Sequence, residues 1–313
     1  MNVHVSAKCC WCQTPLVEST VLDRTCWLCP NEPCFTRQVD RALVVTLAGK
    51  SRTVLFVPVP KQVMFYECAA PNILWGGAAG PGKSTGVRWW LYGKCLRIPN
   101  FEALLLRENF PQLRQTHIRR MEEEQRLFDA LWNKTESTLR FKNGSLIQCG
   151  HMSDADAVQN YLSTEYDAIV ADEGSRYPLG EDGSVPLLEL STRARSNKPG
   201  VLAEGGAKFV VASNPGGPTS AALLDFFVDH DPDFEMSPAL EPLYNPDDWA
   251  YIPASLDDNP YIDPNYLRTL AVLPKWRYEQ LRHGNWRVFS GQFFSEWMER
   301  QDGVPWHVRE LAA

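Results

Sequence analysis

Apolar residues in this chain of 313 residues gather in short continuous runs bounded by Gly, Pro and charged residues. Asn72 to Trp75, Phe101 to Arg107, Tyr166 to Asp172 and Ala207 to Ser213 are four such runs. A strand that is apolar at consecutive positions is buried on both faces, the condition of a parallel sheet covered by helices. Arg41 to Ala48 and Arg52 to Val57 read as further strands. Ser137 to Gly150 reads as a hairpin, because Asn143-Gly144 is a tight-turn pair between two alternating runs. Helices are predicted over Thr85 to Tyr92, over the charge-laced Gln112 to Leu131, and within Pro264 to His283. From Asp225 to Asp263 there are eleven acidic residues, several prolines and no Lys or Arg, which predicts loop. The pattern as a whole is that of an α/β fold with a mainly parallel sheet.

One stretch joins the first of these strands to the helix at Thr85 with chemistry. Gly77-x-x-Gly80-x-Gly82-Lys83-Ser84-Thr85 stands between an apolar strand and a helix, and matches the phosphate-binding loop. Its glycines let backbone N–H groups approach a phosphate, and the following helix adds its N-terminal dipole. Lys83 can neutralise the β- and γ-phosphates of ATP, and the Ser84 hydroxyl is a Mg²⁺ ligand type.

The strand from Tyr166 ends in Asp172-Glu173, at the sheet edge where open α/β sheets bind ligands. Asp172 can hold Mg²⁺ through water, while Glu173 can orient and deprotonate an attacking water. The next strand ends in Ser213-Asn214, a polar pair able to sense a γ-phosphate, with Pro215, Gly216 and Gly217 behind it. Arg193 and Arg195 are either fingers toward a neighbour's nucleotide or members of surface ion pairs. Gln62, about fifteen residues before the phosphate loop, has an amide that can read an adenine edge or simply begin a helix.

Charge and cysteines add two constraints. The formal net charge is -7, so any nucleic-acid contact must come from a local basic patch; the arginines after Tyr266 and those near Arg119 are the candidates. No apolar run approaches 18 residues and none follows Met1 as an export signal, which predicts a protein of the cytoplasm. Six of nine cysteines lie in the first 34 residues. Cys9 and Cys12, then Cys26 and Cys29, form two C-x2-C turns that can supply four thiolates to Zn²⁺, with Cys10 and Cys34 as spare or alternate ligands. A disulfide-stapled cap is the alternative. Cys68, Cys95 and Cys149 read as buried thiols.

Taken in order, these residues resemble the ATPase half of the large terminase subunit of tailed bacteriophages, a P-loop DNA-packaging motor of the additional-strand class. The likeness runs over about residues 50 to 300. It rests on Gln62, Gly76 to Ser84, Leu104 to Arg107 with Phe110 to Arg114, Phe141 to Ser145, Tyr166 to Glu173, Ser213 to Gly217, Asp258 to Tyr261, Gly284 to Trp286 and Gly291 to Phe294. The resemblance implies adenine contact at Gln62, Mg-ATP binding at Lys83, Ser84 and Asp172, catalysis by Glu173, and coupling through Ser213 and Asn214. It also implies double-stranded DNA, a portal protein and a small terminase subunit as partners, a homo-oligomeric ring on the procapsid, and the host cytoplasm as location.

Two departures stand out. Many relatives carry an arginine within the phosphate loop, where this chain has Ala78 and Ala79. The family also adds a nuclease domain after the Gly291 to Phe294 region, where about twenty residues follow here, so no nuclease activity is expected of this chain. The expected organisation is a zinc-ribbon-like module (1–38), a P-loop ATPase core (39–225), a lid or linker subdomain (226–290) and a truncated linker (291–313). The rival readings are another P-loop helicase or recombination ATPase, and a non-catalytic terminase remnant acting as a binding module.

Overall fold

The structure, a computed structural model, describes residues 7–21, 24–46, 52–231, 244–263 and 265–288, with 300–301 and 304–305. Gly291 to Phe294 and Pro264 lie outside the described residues. The chain opens with an antiparallel pair, β1 (Val17–Val21) and β2 (Arg24–Leu28), followed by helix α1 (Glu32–Asp40) and a second pair, β3 (Leu43–Thr46) and β4 (Arg52–Phe56). Then come α2 (Pro60–Tyr66), β5 (Asn72–Gly77), α3 (Lys83–Arg97), β6 (Glu102–Arg107), β7 (Leu131–Asn133), β8 (Thr138–Arg140) and β9 (Leu146–His151). β10 (Ala168–Asp172), β11 (Lys208–Ser213) and β12 (Trp249–Ala254) complete the main sheet.

Eight of these strands form one sheet in the order β12-β5-β11-β10-β6-β9-β8-β7. The six from β12 to β9 are parallel, and the hairpin strands β8 and β7 add antiparallel pairs. β11 stands between the strand that leads into the phosphate loop and the strand that ends in Asp172, the arrangement that defines the additional-strand class.

The continuous apolar runs are explained by two cores, one on each face. Ile73, Trp75, Ala103, Leu105, Val170 and Val210 point to the side of α2 and α3. Leu74, Leu104, Leu106, Ile169, Phe209 and Val211 point the other way, against Tyr177, Leu223 and Phe227. Period-two alternation with both faces apolar leaves no polar position to mark it.

Three stretches differ from the sequence expectation. The acidic, proline-bearing segment contributes a strand, β12, which pairs with β5. β12 lies at the sheet edge, where Pro253 removes no needed donor. The helix predicted over Gln112 to Leu131 is broken: Phe110–Leu113 is α-helical, Arg114–Ile118 is a π-turn and Arg119–Glu124 is α-helical again. Its Glu124 is not solvated but takes the Arg88 guanidinium in a fork at 2.8 and 3.1 Å, and the Tyr92 hydroxyl at 2.7 Å. The helix after the phosphate loop is longer than predicted; it is buried nearly all round, and Arg88, Lys94 and Arg97 on it are paired with acids. No helix of the described residues is long and apolar enough to cross a membrane.

The C-terminal end of α3 is anchored by Glu204, which accepts from Lys94 at 2.8 Å and from Arg97 at 3.0 Å. Partial burial opposes the charge on Glu204, but Arg97 and Lys94 outweigh it and hold its pKa down to about 2 from 4.5. A depressed folded-state pKa contributes stability that is complete above the unfolded value and is lost on acidification. We expect Glu204→Gln to lower the denaturation midpoint at neutral pH, and to lose less stability than the unmodified chain between pH 4.5 and 2. Denaturant titrations across that window check it.

Candidate active site

The parallel register brings the strand ends to one edge. Ser213 pairs with Gly76, Asp172 with Ala212, and Ala171 with Leu106, so the phosphate loop, Asp172, Ser213 and Arg107 are neighbours. The loop needs its glycines. A Cβ on Gly77, at φ +131°, would stand 2.3 Å from the Ala254 carbonyl oxygen, and one on Gly80 would meet Ile262 at 2.7 Å. The loop is gripped from outside by β12 and by the segment after it. Ala78 N–H donates to Ala254 C=O at 2.7 Å, Ala79 N–H to Leu281 C=O at 2.8 Å, and Asn259 Nδ2 to Gly80 C=O at 2.5 Å. Gly82, in the left-handed region, leads into α3, whose first N–H groups at Lys83, Ser84 and Thr85 no helical carbonyl can reach.

Lys83 is buried, and its Nζ donates to Ala78 C=O at 2.6 Å and Asn214 Oδ1 at 2.7 Å. Burial pushes its pKa down to about 7, against the raising pull of Asp172 and Glu173. Asp172 is also buried, and three groups from different elements meet it. The Ser84 hydroxyl donates to its two oxygens at 3.2 and 3.0 Å, Arg107 Nε to Oδ2 at 3.0 Å, and His117 Nε2 lies 2.8 Å from Oδ2. Desolvation opposes its charge, yet His117, Arg107 and Ser84 together hold its carboxyl well below the usual carboxylate range. Arg107 bridges onward to Glu173 Oε1 at 2.7 Å, and Glu173 sits at φ 57° in the left-handed region, with Arg176 3.4 Å from its other oxygen. Ser213 Oγ accepts from Ser175 N–H at 2.9 Å and donates to Asn214 C=O at 3.0 Å. The end of β11 is thus tied to the loop after Glu173 and, through Asn214, to Lys83.

Arg107 and His117 join this cluster without having been singled out for it. His117 lies in the π-turn, the irregularity that aims its ring inward. With Asp172 ionised, Nε2 must carry the ring proton, and the buried Nδ1 has no hydrogen-bond partner among the described residues. A polar residue in a charged helical stretch carried no pattern that would have marked it.

Other residues are placed differently. Gln62 is buried, and its amide is engaged at both ends: Oε1 accepts from Val59 N–H at 3.0 Å and Nε2 donates to Gly82 C=O at 3.3 Å. It caps α2 and braces the phosphate loop, so adenine contact would require it to leave these partners. Arg193 donates to Leu162 C=O at 3.1 Å, and Arg195 pairs with Glu165 at 2.9 Å. Both flank Tyr166, six residues and roughly 20 Å of strand before Asp172. Neither reaches the chain's own site; a finger role would have to be exercised on a neighbouring subunit.

The sulfurs of Cys9, Cys12, Cys29 and Cys34 lie within 4.8 Å of one another, with Cys12 and Cys29 at 3.4 Å. Zn–S bonds of about 2.3 Å would set tetrahedral sulfur–sulfur edges of about 3.8 Å, so the donor set suits Zn²⁺. The first knuckle is the expected Cys9/Cys12 turn. The second pair is Cys29 with Cys34, not Cys26 with Cys29. The correction follows from strand geometry: Cys26 shares a face of β2 with Leu28, and both pack on Val57. Cys34 enters the cluster from the first turn of α1.

No protein-family model matches this chain, and no curated protein matches it. Solved structures do. The large terminase from a thermophilic bacteriophage, in complex with ADP, superposes with a TM-score of 0.55 at 14% identity, over 73% of this chain and 54% of that one. The large terminase of bacteriophage HK97 superposes with a TM-score of 0.50 at 11% identity, over 79% and 53%. The fold is shared with about half of a phage large terminase. This chain spans about half the length of those terminases. At 11 to 14% identity the likeness is one of fold, and function has to be argued from the site. The terminase-like core meets the cysteine cluster through Gln38, which accepts from Cys29 N–H at 2.9 Å and donates to Pro58 C=O at 3.0 Å.

We expect Cys34→Ser to lower the metal content of the purified, reduced chain below half a zinc, and Cys26→Ser to leave it unchanged. Elemental analysis of the two variants decides the ligand set; zinc lost from Cys26→Ser and kept in Cys34→Ser would reverse it.

Proposed function

We propose that this chain is the ATP-hydrolysing motor domain of a terminase-type machine that drives double-stranded DNA into a procapsid. The observation that supports this most is the convergence of Lys83, Ser84, Asp172 and Glu173 on one sheet edge, assembled by parallel register on a terminase fold. On this reading the phosphate loop takes the triphosphate. Lys83 exchanges the Ala78 carbonyl for phosphate oxygens. Ser84 and Asp172, already in contact, would hold Mg²⁺, which would offset the charge developed on the phosphates.

Glu173 is the general base. Its left-handed backbone turns the carboxylate off the strand end. Arg107 holds it beside Asp172, and Arg176 approaches its other oxygen. In a loop whose inner positions are Ala78 and Ala79, these two arginines, both in contact with Glu173, are the candidates to supply the charge that an arginine in the loop would otherwise bring. Ser213 and Asn214 couple the site to the rest of the molecule, because the Asn214 side chain contacts Lys83 while Ser213 Oγ anchors Ser175.

The partners follow from the same reading: double-stranded DNA, a portal protein, a small terminase subunit and further copies of this chain in a ring, in the host cytoplasm. Arg282 and Arg287 pair with Asp257 and Asp229 of the acidic stretch. Duplex contact then falls to exposed charges such as Arg268 and Lys275, or Arg114, Arg119 and Arg126. Zinc held by Cys9, Cys12, Cys29 and Cys34 has a structural role.

Glu173→Gln keeps the shape of the site and removes the base. We expect ATP binding within a few-fold of the unmodified chain and turnover lower by ~10²-fold or more. Phosphate release alongside equilibrium binding is the measurement; unchanged turnover would take the base assignment away from Glu173.

A further inference from the structure

A triphosphate on the phosphate loop leaves the nucleoside to be housed next to it. A cavity of about 480 Å³, within the size range of small-ligand sites, is lined by residues next to or among those that grip the loop. One side is built by Lys61, Ala254 and Asp258 and the other by Lys8, Cys10 and Gln13, with Tyr251 and His283 also on the lining. The first side adjoins the groups that grip the phosphate loop. Ala254 C=O accepts from Ala78 N–H at 2.7 Å, Gln62 beside Lys61 reaches Gly82, and Asn259 beside Asp258 reaches Gly80. The second side is the Cys9/Cys12 knuckle, and Cys10 lies within electrostatic reach of both Lys61 and Asp258.

The chemistry of this lining suits a nucleoside better than another phosphate. The two lysines face the Asp258 carboxylate, while Asp257 on the same lining is engaged by Arg282 at 3.1 Å. The Asp258 carboxylate, fixed by Ser255 N–H at 2.7 Å, can accept from ribose hydroxyls or an exocyclic amine. Lys8, Lys61 and Gln13 offer donors to ring nitrogens, and Tyr251 and His283 offer rings. The knuckle cannot drift away from this wall, because Gln38 ties Cys29 to Pro58 and the seam of Cys26, Leu28 and Val57 closes beneath it.

We propose that the cysteine module forms one wall of the nucleoside pocket, and that Lys8 and Gln13 of its knuckle recognise the base and ribose of the bound nucleotide. This rests on the nucleotide-binding reading given above. A zinc module in this place makes nucleotide affinity depend on the integrity of the knuckle.

The test compares Mg-ATP with Mg-tripolyphosphate, which carries the phosphates and lacks the nucleoside, by calorimetry on the full chain. The variants are Lys8→Ala/Gln13→Asn, whose positions are exposed, and Lys61→Ala from the opposite wall. Asn is chosen at position 13 because the backbone there has φ 61°. With zinc content equal to that of the unmodified chain, each variant is expected to bind ATP ~10-fold or more weakly and tripolyphosphate as before. ATP affinity unchanged in the double variant, or the two ligands weakened equally, would overturn the pocket assignment while leaving the phosphate site standing. An unmodified chain that binds neither ligand would overturn the nucleotide reading, and this proposal with it.

Discussion

The structure depends on keeping one charge buried. Asp172 stands at the end of a strand that is apolar on both faces, in a position that is almost wholly inaccessible to water. An unpaired carboxylate there would be too costly to keep ionised. It is kept ionised by three donors from three places in the chain: Ser84 at the start of α3, Arg107 at the end of β6, and His117 in the π-turn that follows. Each donor fixes the element that carries it. The phosphate loop is set against β10, β6 is set in register beside it, and the helix after β6 must break to present an imidazole. Removing one partner from such a cluster typically costs about 3 to 5 kcal/mol, so these residues carry structural as well as chemical demands.

From this buried charge the contacts spread outward. Arg107 carries the field to Glu173, Asn214 connects Lys83 to the end of β11, and the Ser213 hydroxyl connects β11 back to Ser175. On the other side, the loop backbone is held by β12, Leu281 and Asn259, all from residues after the main run of strands. A nucleotide entering this site would meet a loop already braced at both ends. On the proposed reading, a change in its occupancy is passed to β11 through Asn214 and to the segment after β12 through Asn259.

Much of this could be read in the chain, and the reason is locality. The phosphate loop and Asp172-Glu173 are contiguous in sequence, and each sits at a boundary where an apolar run ends, so pattern and chemistry coincide. The sheet class was legible because burial on both faces leaves continuous apolar runs. What was hidden depends on contacts between distant segments. β12 reads as loop because its partner β5 supplies the burial and its edge position tolerates Pro253. His117 is turned inward by a π-turn that a simple helical period does not describe. Cys34 replaces Cys26 because spacing counts residues, whereas ligation depends on which face of β2 a side chain leaves from. Gln62 lies next to the phosphate loop, as its position suggested, but its amide is engaged with backbone.

On the proposed reading this edge is an ATP-hydrolysing site harnessed to duplex DNA. Steady-state phosphate release by the unmodified chain with Mg-ATP, with and without linear double-stranded DNA, addresses it most directly. Measurable turnover that rises when duplex is added, with no separation of its strands, is the expected result. No release above buffer in either condition, from chain that is folded and zinc-loaded, would contradict it.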